Sequence, residues 1–198
     1  IVDASGKAAG RNAGARDIGF VFQEPTLMPW APVFDNVLLP LKLKGEAPGA
    51  ARERVEHALA MVGLEKFARS YPRELSGGMK MRVSIARALI TRPKLLLMDE
   101  PFAALDEMTR LKLNDDLLRL WKEFGLTIVF VTHSVYESVY LSSRVVVMAA
   151  RPGRVVADEK IDAPYPRDEE FRLSPAYAAA CRRVSQALHG AVAPAEAA

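Results

Sequence analysis

Leu75-Ser76-Gly77-Gly78, a mixed basic and apolar run, and then Leu95-Leu96-Leu97-Met98-Asp99-Glu100-Pro101 form the stretch that decides the fold. Its first part presents a hydroxyl and two residues without side chains at a helix start. Unpaired N–H groups and the positive end of the helix dipole favour a phosphate there. Glycine also lets the backbone approach phosphate oxygens without a Cβ clash. The second part is a short, fully apolar run that suits a buried strand, and it ends in two acids. Consecutive strand residues face opposite ways, yet at the C-terminal end of a strand both acids can reach the crevice where α/β folds bind ligands. An Asp at that point suits a hydrated Mg2+, and the next acid suits activation of a water. Together the two parts imply hydrolysis of a nucleoside triphosphate. Taken singly, Ser76-Gly77-Gly78 would be an ordinary helix cap, and Asp99-Glu100 a surface pair ahead of a helix. Their order, with Lys94 nineteen positions after Leu75, favours the chemical reading.

Working outward, Ile18 to Phe22 forms an apolar, aromatic strand that stops at Pro25. Residues 26–33 form a loop. Asp35 or Asn36 is expected to cap a short helix carrying Val37, Leu38 and Leu41, with Pro40 in its first turn. Residues 51–62 predict an amphipathic helix with Val55, Ala58, Leu59 and Val62 on one face and Gly63 at its end. The helix opened by Ser76 carries Val83, Ile85, Ala86, Leu89 and Ile90. A further helix over 107–123, a strand over Thr127–Val131, and a hairpin of 144–149 with 154–158 about Pro152-Gly153 follow. Strands alternating with helices predict a mostly parallel sheet. The helices between the Gln23 strand and the Leu95 strand predict a helical lobe over about 26–90. Residues 164–198 predict a tail with one helix near 175–189 and a disordered Ala/Pro end.

Other chemistry-bearing residues sit at element ends. Gln23 follows a strand, where a neutral amide can ligate Mg2+ or orient water. His133 follows a β-branched strand, where an imidazole can hydrogen-bond a γ-phosphate. Asp106, in Ala103-Ala104-Leu105-Asp106, is a nucleotide-contact candidate and equally an N-cap for the helix after it. Arg82 and Arg87 are assigned to a solvated or salt-bridged surface, and His57 and His189 receive no role.

Composition excludes several classes. The 198 residues are 50% hydrophobic, enough for a well-buried core, and a net charge of +3 with no block of like charge argues against nucleic acid. The single Cys181 forms no disulfide within the chain and fits no metal or redox motif. No apolar run of 18 or more residues occurs in the sequence, so the chain is not expected to cross a membrane by itself.

These motifs resemble the ATP-binding cassette (ABC) family over roughly residues 18–160. Leu75-Ser76-Gly77-Gly78 resembles its signature, Asp99-Glu100 its Walker B end, Ala104-Leu105-Asp106 its D-loop, Gln23 its Q-loop and His133 its H-loop. The resemblance implies an α/β, P-loop NTPase-like domain over 1–163 with ATP and Mg2+ as cofactors. It further implies a head-to-tail dimer in which Ser76, Gly77 and Gly78 contact ATP held by the partner subunit. Val21 to Trp30, Asp35-Asn36-Val37 and the Arg151-Pro152-Gly153-Arg154 turn resemble importers of the nitrate, sulfonate and taurine group. That implies permease subunits in the membrane, a periplasmic or lipid-anchored solute-binding protein, and a peripheral place on the cytoplasmic face. The competing expectations are a soluble ABC ATPase acting on nucleic acid or ribosomes, and a catalytically silent interaction module.

Met79 and Met81 stand where the family often has Gln, and Ala103 where Ser is frequent. The phosphate-loop pattern G-x-x-x-x-G-K-[ST] occurs nowhere in the 198 residues. The nearest segment, Ser5-Gly6-Lys7-Ala8-Ala9-Gly10, lacks the first Gly and has Ala8 after the Lys. We therefore expect a fragment without the N-terminal strand and phosphate loop, and weak or no ATP binding by these 198 residues alone. Calorimetric titration checks this, and tight Mg2+-dependent binding would refute it.

Overall fold

Four apolar residues followed by two acids make a strand buried in its middle and open at one end. The computed structural model describes residues 18–150 and 152–192. Their order is β1 (Ile18–Val21), α1 (Val33–Leu43), α2 (Pro48–Met61), α3 (Gly77–Leu89), β2 (Leu95–Asp99), α4 (Glu107–Phe124), β3 (Thr127–Val131), α5 (Val135–Leu141), β4 (Arg144–Ala149), β5 (Arg154–Lys160), α6 (Glu169–Leu173) and α7 (Pro175–Val192). Short 3-10 turns at Glu65–Phe67 and Pro72–Glu74 join α2 to α3. The segment Ser5 to Gly10, Arg151 and the tail's end beyond residue 192 lie outside the described residues. By contacts the chain divides into two compact units, residues 1–131 and 132–198.

In the first unit β1, β2 and β3 form a parallel sheet with β2 in the middle. Val21 pairs with Met98, Met98 with Phe130, and Asp99 with Val131, so all three strands end at one sheet edge. Leu96 and Met98 are fully buried. Each such side chain contributes roughly 1.5–3 kcal/mol by leaving water. Helices α1, α2 and α3 pack on one another, and α3 also packs on β1 and α4. Val55, Leu59, Val83, Ile85 and Leu89 are buried as the helical spacing predicts.

The start of α1 differs from expectation. The helix begins at Val33 after Pro32, whose fixed φ sets the entry, so Asp35 and Asn36 lie inside it. Pro40 also lies inside, near the last turn. Asn36 is fully buried and ties down the preceding loop instead of capping. Its Oδ1 accepts from the Met28 N–H (2.7 Å). Its Nδ2 donates to the carbonyls of Met28, Ala31 and Pro32 (3.2, 3.0 and 3.1 Å). A side-chain amide here replaces the backbone ladder that a proline-interrupted loop cannot make.

The second unit has its own core, with Val139, Val145, Val147, Ile161, Ala180, Cys181 and Val184 packed together. β4 and β5 form the expected antiparallel hairpin, with a register shift at Val147/Met148. The helix expected near 175–189 is α7, which packs on α5 and β4. The short helices α5 and α6 were not expected. Arg167 is buried and donates to the carbonyls of Val139, Tyr140 and Ser142 (2.8, 2.9 and 2.9 Å), closing the end of α5. Its guanidinium lies 4.2 Å from the centre of the Tyr165 ring.

Asn36→Ala leaves the Met28 N–H and three carbonyls without that partner. It should lower stability by about 2–3 kcal/mol, seen as a shift of the urea midpoint at unchanged slope.

Candidate functional site

Gln23, Asp99 and Glu100 leave the sheet at the same edge. Gln23 lies two residues beyond the end of β1 and is exposed. Asp99 is the exposed last residue of β2. β1 and β2 are hydrogen-bonded neighbours, so the amide and the two acids come from adjacent strand ends. Glu100 extends the ladder by one bond, its N–H donating to the Val131 carbonyl (2.9 Å). Its φ of 43° is left-handed, an uncommon choice for a residue with a Cβ. The chain turns there, and the Ala103 N–H donates back to the Glu100 carbonyl (3.2 Å). Pro101 and Phe102 are buried beneath the turn, with the Phe102 ring 5.5 Å from that of Phe130. The strand end is thus bolted down by an aromatic pair directly after the acids.

Ser76, Gly77 and Gly78 form a second group with Asp106. Ser76 is the N-cap of α3, its hydroxyl accepting from the Met79 N–H (3.3 Å). The first-turn N–H groups of Gly77 and Gly78 have no acceptor within a helix of this geometry. Both glycines pack against the segment that follows Glu100. A Cβ on Gly77 would sit 3.3 Å from Leu105 Cδ2, and one on Gly78 only 2.5 Å from Thr109 Cγ2. Asp106 is the N-cap of α4, accepting from the Thr109 N–H (2.9 Å). That bond holds its carboxyl below the ordinary carboxylate range. The capping role foreseen for Asp106 is therefore present, and the capped turn is the one that meets the glycines.

His133 lies in the second unit, exposed, one residue before the N-cap Ser134 of α5. Its loop is held by Glu137, which is buried: the Thr132 hydroxyl donates to Glu137 Oε2 (2.6 Å). The Ser134 N–H donates to Thr132 Oγ1 (3.0 Å), and the Glu137 N–H to Ser134 Oγ (3.3 Å). The sequence signal for this clamp was Ser134 with Glu137 three residues later, the pattern of a capping box.

The two arginines of α3 are not equivalent. Arg82 pairs with Asp116 and donates to the Val62 carbonyl (3.0 Å), in keeping with a salt-bridged assignment. Arg87 departs from it. Its guanidinium donates to the carbonyls of Pro25 (2.8 Å) and Thr26 (2.9 Å) and to Thr26 Oγ1 (3.0 Å). Burial lowers its pKa from the ordinary value. A cation that finds three oxygens 61 and 62 positions away leaves no trace in local spacing.

Among the described residues no three His, Cys, Asp or Glu groups are placed to hold a metal ion. Asp99 and Gln23 are oxygen donors at one edge. Such a set suits Mg2+, which takes one or two protein oxygens and completes its shell with water and phosphate.

The family model described as ABC transporter matches residues 4–103. A Brucella abortus protein named for ATP binding is 49% identical over 171 residues, covering 86% of this chain and 66% of that protein. An aliphatic sulfonates import ATP-binding protein of Xanthomonas axonopodis pv. citri is 45% identical over 179 residues, covering 89% of this chain and 69% of its own length. A solved dimeric ATP-binding cassette in a post-hydrolysis state, bound to ADP and Pi, superposes with a TM-score of 0.64 at 38% identity. That match covers 75% of this chain and 65% of that one. The chain thus spans just under two thirds of the length of the Brucella relative.

Gly78→Ala should destabilise the protein by about 1–3 kcal/mol through overpacking. Adding Thr109→Ser, which deletes the methyl that a new Cβ would strike, should return most of the loss. Thermal melts of the single and double variants check this.

Proposed function

The chain belongs to the ABC transporter family, and we propose that it is the greater part of an ATP-hydrolysing subunit of an importer. The observation that carries this reading is the shared sheet edge from which Gln23, Asp99 and Glu100 emerge. The backbone of Glu100 is held at the strand end by its bond to Val131 and by the Phe102 pair that follows. That is what a general base requires, because a proton is accepted only from a water within hydrogen-bond reach.

The roles divide by chemistry. Asp99 and Gln23 would hold Mg2+, largely through water. Glu100 orients the attacking water and takes its proton. His133 donates a hydrogen bond toward the terminal phosphate. Ser76, Gly77 and Gly78 offer N–H groups and a hydroxyl to the nucleotide held by a second copy, and Asp106 shapes the turn beside them. Mg2+ with ATP supplies the electrophilic phosphorus and the cation that neutralises its oxygens. The donor set fits that pair: single exposed oxygens at the sheet edge for a hydrated cation, and glycine N–H groups at a helix mouth for phosphate.

The partners follow from the same reading. Two copies pair head to tail, since the helix mouth of one must face nucleotide on the other. No described helix is long and apolar enough to cross a membrane. In this reading transport uses separate permease subunits, with this subunit peripheral on the cytoplasmic face and a periplasmic or lipid-anchored binding protein choosing the solute. The sulfonate-import relative supports a small anion of the nitrate, sulfonate or taurine kind.

Glu100→Gln in the full-length protein should lower turnover by about 10²–10⁴-fold. It should also accumulate an ATP-dependent dimer, seen by phosphate release and size-exclusion chromatography in the presence of ATP. Undiminished turnover would remove Glu100 as the base.

A further inference from the structure

Thr26 has a φ of 46°. A β-branched side chain is a genuine outlier there, because its Cβ crowds the neighbouring backbone. Such a conformation persists only where the surroundings over-determine it. Here Asn36 ties the loop at Met28, two residues on, and one side chain reaches Thr26 itself. The Arg87 guanidinium donates to the Pro25 carbonyl, the Thr26 carbonyl and the Thr26 hydroxyl, at 2.8, 2.9 and 3.0 Å. Thr26 is itself exposed. Its geometry is therefore held by these bonds and not by packing around its side chain.

The position of this clamp matters more than its strength. Thr26 lies three residues after Gln23, so the backbone angles at Pro25 and Thr26 set how the loop leaves the β1 edge. Arg87 lies in the last turn of α3, the helix that Ser76 caps at its other end. A helix of 13 residues is a rod of about 20 Å. One end of the rod carries the glycine N–H groups, and the other grips the loop of the glutamine. A planar fork with donors in fixed directions suits this work, and a lysine ammonium cannot reproduce it.

We propose that Arg87 is a positioning residue that couples the Gln23 loop to the signature helix by holding Thr26 in its left-handed conformation. The proposal rests on the functional reading given above for Gln23. When the clamp is made, Gln23 is presented at the edge beside Asp99. When it opens, Thr26 relaxes to negative φ and the glutamine leaves that edge. Motion of the loop and motion of the helix mouth then become a single event.

The test uses the intact protein and measures ATP turnover against both ATP and Mg2+. Arg87→Ala should lower kcat on the order of tenfold, with KM for ATP changed by less than about twofold, as misplacement of one polar group does. Arg87→Lys should fall between Arg87→Ala and the wild type. Gln23→Ala should cause a loss of similar size, and adding Arg87→Ala to it should lower kcat little further, because both remove one arrangement. Thr26→Gly adopts the left-handed angle freely. In the Arg87→Ala background it should recover at least about threefold of the lost kcat, which a purely structural arginine would not permit. Losses at Arg87 and Gln23 that multiply, or no recovery with Thr26→Gly, would overturn the coupling while leaving the role of Gln23 intact. Unchanged turnover in Gln23→Ala would overturn the reading of that glutamine, and the coupling with it. Should Arg87→Ala fail to fold by circular dichroism, Arg87→Lys with and without Thr26→Gly carries the same comparison.

Discussion

At Glu100 the chain must leave a buried strand without carrying a carboxylate back into the core. Continuing in extended backbone would send alternate side chains to alternate faces of a sheet whose centre is Leu96 and Met98. The left-handed φ at Glu100 resolves this by breaking the alternation at the last ladder bond. The strain, on the order of 1–2 kcal/mol, is offset within three residues. The Glu100 N–H keeps its bond to Val131, Pro101 is buried, and Phe102 is fully buried against Phe130. The rest of the site depends on this turn, because the same short segment then reaches Leu105 and Asp106, where α4 begins.

The helix mouth at Ser76 is built on that segment. Gly77 and Gly78 have no side chains because Leu105 and Thr109 occupy the space where a Cβ would lie. Glycine at these positions thus serves two ends: open N–H groups on the outer side and close packing on the inner side. Asp106 fixes Thr109 through its backbone N–H, so the methyl that abuts Gly78 is held by the cap of α4. A loss of that cap would be felt at the glycines through Thr109.

Legibility followed chemistry with a local signature. The apolar run into Asp99-Glu100, the Ser76 cap and the Pro152-Gly153 hairpin each depend on neighbours within a few residues, and each could be read from them. Gln23 and Asp99 could be assigned to one edge because a parallel sheet aligns strand ends. What escaped depends on distant partners. Asn36 has the composition of a cap, and only the proline-broken loop before it makes it a buried tie. Arg87 looks like any surface cation until its oxygens arrive from the β1 loop. α5 is seven residues long, too short for periodicity to stand out, and its end is closed by Arg167 from the tail.

The two left-handed residues of the first unit nearest the site, Thr26 and Glu100, stand beyond the ends of neighbouring parallel strands. They are secured in opposite ways. Glu100 is followed by buried residues and a ring pair, so its angle is fixed by packing, which does not yield by degrees. Thr26 is exposed and gripped by the Arg87 guanidinium, so its angle is fixed by hydrogen bonds, which can be exchanged for bonds to water, rather than by packing. In the proposed reading the base stays where it is through every turnover, whereas the loop that carries the amide can move. The fold thus sets a packed turn after the acid and a hydrogen-bonded one after the amide, at the ends of neighbouring strands, and the proposed roles of base and mobile amide match that difference in material.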